Sequence, residues 1–323
     1  VENKPSISDT SPEMKRASSG ALVVLIRIIT GIAFILSGAL KLVPAEYLEN
    51  DILRSGLAND TTVPFIARFV IGSEFFLGSM LVFGLLRRLT LKLCIASLIV
   101  YTTYLVYVIA LFGNEGNCGC FGRQFELTPL EGIWKNLVMG IGCVFVLRKS
   151  GIETRTTARL IFAGSLALLS LVLPFVIYKV DLPEKINVGG TERTLIDLDP
   201  LYRDQSVAPP FDARSGKVLL MFASLSCEHC RVAASKLELI KTKHPEWNIY
   251  IVYNGKEELI SDFHKDAQIR NTPCHLFNDG EAIARMVGVG FPIILLLEDA
   301  TVVSTLNYPE LQEDNLRTFF SGN

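Results

Sequence analysis

Asn117-Cys118-Gly119-Cys120-Phe121-Gly122 sets two cysteines one glycine apart between two long apolar runs, residues 89–112 and about 130–147. Each run approaches the roughly 20 apolar residues that cross a bilayer, so the cysteines read as a loop between two membrane helices. Working outward, residues 21–43, 63–86 and 160–178 are apolar over similar lengths, which makes five spans. Residues 21–43 exceed a signal-peptide core and lack a small-x-small cleavage site, so they read as an uncleaved first helix. The expected fold is an α-helical membrane bundle, four core helices plus a fifth connecting helix at 151–180, followed by an α/β domain. Residues 1–20 are polar and read as a disordered tail. Residues 44–60 carry Glu46, Glu49, Asp51 and Asp60 with Tyr47, Leu48, Ile52 and Leu53 at helical spacing, the pattern of a helix lying at the interface.

Orientation follows from the short loops. Lys15 and Arg16, then Arg87, Arg88 and Lys92, then Arg148, Lys149, Arg155 and Arg159 occupy alternate connections, and basic loops stay cytoplasmic. The Cys118/Cys120 loop and everything after the fifth span then face outward, which predicts a multi-pass protein of the cell inner (cytoplasmic) membrane with its C-terminal domain on the periplasmic side. Of the 323 residues, 50% are hydrophobic, concentrated before Val180, and the formal net charge is −2. With no basic cluster able to track phosphates, nucleic-acid binding is excluded as a function class. The sequence assigns no oligomeric state.

Residues 181–216 read as a linker, with Gly189-Gly190 and Pro209-Pro210. From 217 to 323 the pattern is that of a compact α/β domain. A buried strand at 218–222 leads to Cys227-Glu228-His229-Cys230 and a helix at 231–243. A strand at 249–253, a helix at 257–268, a short helix at 281–287, Gly290-Phe291-Pro292, a hairpin at 293–298 and 302–306, and a closing helix at 309–320 follow. A C-x-x-C pair at a helix start is a redox arrangement with a physical cause: the unpaired N–H groups and positive dipole end of the helix stabilise a thiolate. Cys227 is then the attacking sulfur and Cys230 the resolving one. His229 between them adds partial positive charge and Glu228 opposes it. The competing reading is a zinc site, which needs about four ligands and would recruit Cys274 and His275; the redox reading calls for no metal.

Taken together, the strand at Val218, the Cys227-to-Cys230 motif, Phe291-Pro292 before a strand and the final hairpin and helix resemble the thioredoxin superfamily. The resemblance implies a cis Pro292 packed beside the cysteine pair, holding a partner's backbone. Ser226 stands where that family usually has tryptophan.

Over residues 21–150, the Cys118-Gly119-Cys120-Phe121-Gly122 loop, together with Gly31, Phe34, Gly38 and Lys41 of the first span and Glu74 and Gly78 of the second, resembles the MauE branch of the DoxX-like membrane proteins. That resemblance implies a role in forming or maintaining disulfides in exported proteins. The wider group is similar to the four-helix quinone-linked oxidases of the DsbB and vitamin K epoxide reductase type. Independently, thiols one residue apart can close a small, strained disulfide that exchanges readily; a structural disulfide is the bland alternative. Glu74, an intramembrane carboxylate, is a functional candidate or the partner of Arg27 in the first span. Tyr101, Tyr104 and Tyr107, with Trp134, either line a quinone pocket together with Glu74 or form an interfacial aromatic belt. Cys94 and Cys143, both toward the cytoplasmic side, are packing cysteines or an electron relay.

The expected function is therefore a membrane thiol-disulfide oxidoreductase. Its outward C-x-x-C domain would exchange electrons with Cys118/Cys120, and these with a membrane quinone, its partners being exported protein thiols or disulfides and membrane lipid. Two other readings stand beside it: a cytoplasm-to-periplasm relay for reductive maturation, and a non-enzymatic assembly factor.

Overall fold

The computed structural model describes residues 12–114, 117–125, 127–150, 156–180, 182, 184–186, 194–203 and 209–321. The chain divides into two compact units, residues 1–45 with 67–179, and residues 46–66 with 180–323.

The first unit is a helix bundle: α1 (Pro12–Leu42), α3 (Val63–Phe83), α4 (Arg87–Phe112), α5 (Pro129–Lys149) and α6 (Thr157–Ile177), with α2 (Glu46–Arg54) assigned to the second unit. All five bundle helices are long and apolar enough to cross a membrane. Helix α1 begins at Pro12, inside the segment expected to be a disordered tail; residues 1–11 of that tail lie outside the described residues. Close backbone approach sets the register of α1 against α3. A Cβ added at Gly31 would lie 2.8 Å from the Gly78 carbonyl oxygen, and one at Gly78 would lie 2.6 Å from that of Gly31. Small residues at such crossings let apolar helices pack where no water is there to drive them together. Gly38 likewise faces Ile71 and Glu74. The buried Arg68 donates to the Lys179 carbonyl at 2.9 Å, holding the chain just beyond α6 against α3.

The second unit is built on a six-stranded mixed sheet, β1 (Thr194–Leu195), β2 (Lys217–Ser224), β3 (Ile249–Asn254), β4 (Cys274–Leu276), β5 (Ile293–Glu298) and β6 (Thr301–Leu306), in the order β1-β6-β5-β2-β3-β4. Strands β2, β3 and β4 are parallel, while β5 and β6 are antiparallel additions. Because β2 is covered on both faces, it reads as a continuous apolar run rather than an alternation. Leu219, Met221 and Ala223 pack under α7 (Glu228–Lys243), α8 (Ile260–Ala267) and α10 (Glu313–Ser321). Val218, Leu220 and Phe222 face the other way, under α9 (Gly280–Val287) and residues Ile196, Leu198 and Leu201. The parallel β2-α7-β3 unit and the antiparallel β5-β6 pair give this domain a thioredoxin-like fold.

Two segments fall elsewhere than the sequence suggests. In place of a free linker at 181–216, β1 and a 3₁₀ turn at Asp199–Tyr202 extend the sheet and its second core, since Ile196, Leu198 and Leu201 have apolar surface to bury; Gly189-Gly190 lies outside the described residues. Helix α2 forms where an interfacial helix was expected, and it packs on α7 through a polar residue: Asn50 Nδ2 donates to the Val232 carbonyl at 3.3 Å and Tyr308 Oη donates to Asn50 Oδ1 at 3.1 Å. Lys236 on α7 completes the attachment with Asp60 at 2.9 Å.

Candidate functional site

The C-x-x-C pair sits where β2 hands over to α7. Cys227 is the N-cap of α7, and its Sγ accepts the Cys230 N–H at 3.2 Å, the side-chain cap that satisfies one orphan donor of the first turn. The same sulfur is half-exposed and lies 3.8 Å from the Phe291 carbonyl oxygen, and the Phe291-Pro292 bond is cis. Cys230 is fully buried beneath it, and that burial pushes its thiol well above the ordinary range, aided by its hydrogen bond to Cys227. One sulfur is thus presented and the other held back as a thiol, the asymmetry that attack and resolution require. Glu228 and His229 are exposed. Among the described residues Cys274 and His275 form no ligand cluster with the pair, and as successive residues of β4 they point to opposite faces. Cys274 Sγ meets His264 Nε2 at 3.4 Å, and His275 Nδ1 meets Tyr250 Oη at 2.8 Å.

The second dithiol lies in the loop between α4 and α5. Asn117 shapes it, its Oδ1 accepting from Gly119 N–H and its Nδ2 donating to the Gly122 carbonyl, both at 3.0 Å. Gly119 and Gly122 have φ of 66° and 64°, left-handed conformations that glycine adopts without steric cost. A Cβ at Gly122 would fall 2.2 Å from the Leu40 carbonyl oxygen, so only glycine lets the loop rest on the end of α1. Where the loop enters α5, Thr128 and Glu131 close a reciprocal capping box. Gly132, one turn on, leaves room for both sulfurs: a Cβ there would lie 3.1 Å from the Sγ of Cys118 and 3.1 Å from that of Cys120.

These two thiols are inequivalent. The hydrogen bond from Cys118 lowers Cys120 to about 6 against its burial, with help from the charges of Lys135 and Lys41, while Cys118 is pushed up as the donor. Below the loop runs a chain of polar contacts through the bundle. The Ser37 hydroxyl donates to the Cys120 carbonyl at 2.7 Å, and Lys41 Nζ donates to Ser37 Oγ at 2.9 Å and to Glu74 Oε1 at 2.5 Å. Tyr101 flanks this chain, its ring centroid 5.9 Å from Lys41 Nζ and its hydroxyl 3.5 Å from Ser73 Oγ.

Glu74 therefore pairs with Lys41 rather than Arg27. Gly31 opposite Gly78 sets an antiparallel register that puts Arg27 beside Gly84, ten residues and about 15 Å of helix beyond Glu74. Glu74, Tyr104 and Trp134 do not gather round one cavity: Glu74 is buried against Lys41, Tyr104 is half-buried, and Trp134 is 60% exposed on α5. Cys94, near the start of α4, and Cys143, near the end of α5, are both buried with their thiols in hydrogen-bond contact. Sequence reasoning missed the roles of Ser37, Lys135, Gly132 and Lys41. Of these only Lys41 carried a signal, as an ionisable group near the end of an apolar helix that also holds a carboxylate in its neighbour.

Fold and sites together define a class: a membrane helix bundle bearing a Cys-Gly-Cys loop, joined to a thioredoxin-like domain with a C-x-x-C motif at its first helix. Residues 19–149 match the family model described as methylamine utilisation protein MauE. Over 306 residues the chain is 28% identical to Protein TlpB of Flavobacterium psychrophilum, covering 78% of this chain and 82% of that protein. Among solved structures, the thioredoxin domain of a thiol-disulfide oxidoreductase from Bacteroides vulgatus is 18% identical, with a TM-score of 0.30 over 33% of this chain and 81% of that one. A thiol:disulfide interchange protein from Bacteroides sp. is 18% identical, with a TM-score of 0.31 over 44% of this chain and 93% of that one.

Proposed function

We propose that the chain is a thiol-disulfide oxidoreductase of the cytoplasmic membrane whose two dithiols face the same outer compartment and exchange electrons with one another. What carries this reading is an inequivalence common to both pairs: one thiol is pushed up as the donor of a hydrogen bond to the other sulfur, Cys230 toward Cys227 and Cys118 toward Cys120. Exported protein thiols are the substrates. A substrate thiolate attacks Cys227 of the Cys227–Cys230 disulfide, releasing Cys230 as a thiol, and the substrate's second thiol then displaces Cys227 from the mixed disulfide, so the substrate gains an S–S bond as the domain's is reduced. The Cys118–Cys120 disulfide then takes two electrons from the Cys227/Cys230 dithiol, one S–S bond breaking as the other forms. A membrane quinone re-oxidises the loop. Tethering in one chain raises the effective concentration of each pair toward the other to about the millimolar range if the tether spans them.

Replacing Cys230 with serine removes the resolving thiol. The trapped chain should carry a mixed disulfide between Cys227 and Cys118 or Cys120, read by mass spectrometry of unreduced peptides. A trap in which Cys227 is joined only to other proteins would remove the internal exchange.

The contact between Cys94 and Cys143 favours a second reading, with these thiols passing electrons from cytoplasmic donors toward the outer face for reductive maturation. The Cys94→Ala/Cys143→Ala double variant separates the two. Full oxidase activity in that variant supports the first, and loss of all outward electron delivery supports the second.

A further inference from the structure

A groove of about 500 Å3 runs between α4 and α5. Its polar groups gather toward one end, where Thr102, Thr103 and Asn136 line it, while Ile95, Gly140 and Val144 continue it as an apolar trough. The polar end is next to the loop dithiol, because Asn136 follows by one helical turn the Gly132 on which both sulfurs rest. Asn136 is only 2% exposed. Its Nδ2 donates to Thr102 Oγ1 at 3.3 Å, and among the described residues its Oδ1 has no hydrogen-bond partner. A buried amide oxygen left unpaired forfeits its hydration without replacement, so this position calls for a ligand group.

The amide can serve two kinds of ligand. A threonine hydroxyl both donates and accepts, so Thr102 can satisfy either end of the Asn136 amide and leave the other unpaired beneath the groove wall. A partner that is an acceptor when oxidised and a donor when reduced fits this pair. A polar ring with a long apolar tail fits the head-and-trough shape.

We propose that this groove binds the quinone, its ring at Asn136 and Thr102 and its tail along Gly140 and Val144; this rests on the electron-acceptor reading above. Closing the Cys118–Cys120 disulfide breaks the thiol S–H bonds, forms one S–S bond, and releases two electrons and two protons. These convert the two quinone carbonyls to hydroxyls.

The test uses the full chain in lipid nanodiscs with a photoactivatable azido-benzoquinone carrying a short alkyl tail, its cross-links mapped by mass spectrometry. A Cβ at Gly140 meets no atom of the described residues within 4 Å, so Gly140→Phe enters the trough from an open position. Val138→Phe is the control, on a side chain 68% exposed and outside the groove lining. The expected result is labelling of the α4 and α5 peptides around Asn136, reduced about tenfold or more by Gly140→Phe, as filling one apolar subsite gives, and unchanged by Val138→Phe. Asn136→Leu should raise the KM for quinone more than it lowers kcat.

Equal labelling of Gly140→Phe and the unmodified chain would overturn the assignment. So would equal labelling by an alkyl probe without the quinone ring, which marks a lipid groove only. If a quinone oxidises the loop dithiol and Gly140→Phe leaves its KM unmoved, the groove assignment fails alone. If no quinone oxidises that dithiol, the electron-acceptor reading fails and this one with it.

Discussion

Cys120 sits 3.1 Å from where a Gly132 Cβ would be, with its carbonyl held by Ser37 and its thiol facing the charges of Lys135, Lys41 and Glu74. The hydrogen bond it accepts from Cys118 lowers its thiol and favours the thiolate, the form that attacks disulfides. Alkylation of the reduced chain, mapped to Cys120, should follow a titration with its midpoint near about 6. Removing a nearby positive charge favours the neutral thiol, so Lys135→Met should move that midpoint up by about one pH unit or less and slow alkylation at neutral pH. A midpoint at the ordinary thiol value in the unmodified chain would contradict the assignment of Cys120 as the reactive sulfur. At this scale the cysteine spacing was readable from sequence, whereas the ionic chain beneath it was not. Lys41 and Glu74 are obvious ionisable groups, but which cation meets the carboxylate depends on how far α1 slides along α3, and that is set by the Gly31–Gly78 crossing.

Elements were legible in proportion to their length. The five apolar helices announce themselves by hydropathy, and β2, β3 and β5 by unbroken apolar runs. Strand β4 went unnoticed because Cys274-His275-Leu276 is too short to show a period. The placement of α2 was equally hidden: its amphipathic pattern reports an apolar face and says nothing of which surface covers it. Helix α10 offers an element-scale test. Burial opposes the charge on Glu313, yet hydrogen bonds from His244, Lys243 and Arg317 outweigh it and hold the carboxyl down at about 2. A carboxylate depressed in the folded state contributes stability above its unfolded value near 4.5, and that contribution is lost as pH falls through that value toward about 2. Unfolding of the full chain, followed by near-UV dichroism of the sheet domain, should show less acid dependence across that window in Glu313→Gln. The same acid dependence in both chains would remove this carboxylate from the closing-helix staple.

For the whole molecule, the proposed topology of alternate basic connections and an odd number of crossings puts the Cys118/Cys120 loop and the Cys227/Cys230 domain in one compartment. Everything proposed about exchange between the pairs depends on that shared side. The most direct measurement is labelling of intact cells and of inverted membrane vesicles with a membrane-impermeant maleimide after reduction, using chains that retain either Cys120 or Cys227 as the sole cysteine. Both chains should be labelled in intact cells and protected in inverted vesicles. Labelling of one from outside and of the other only from the cytoplasmic face would contradict the account.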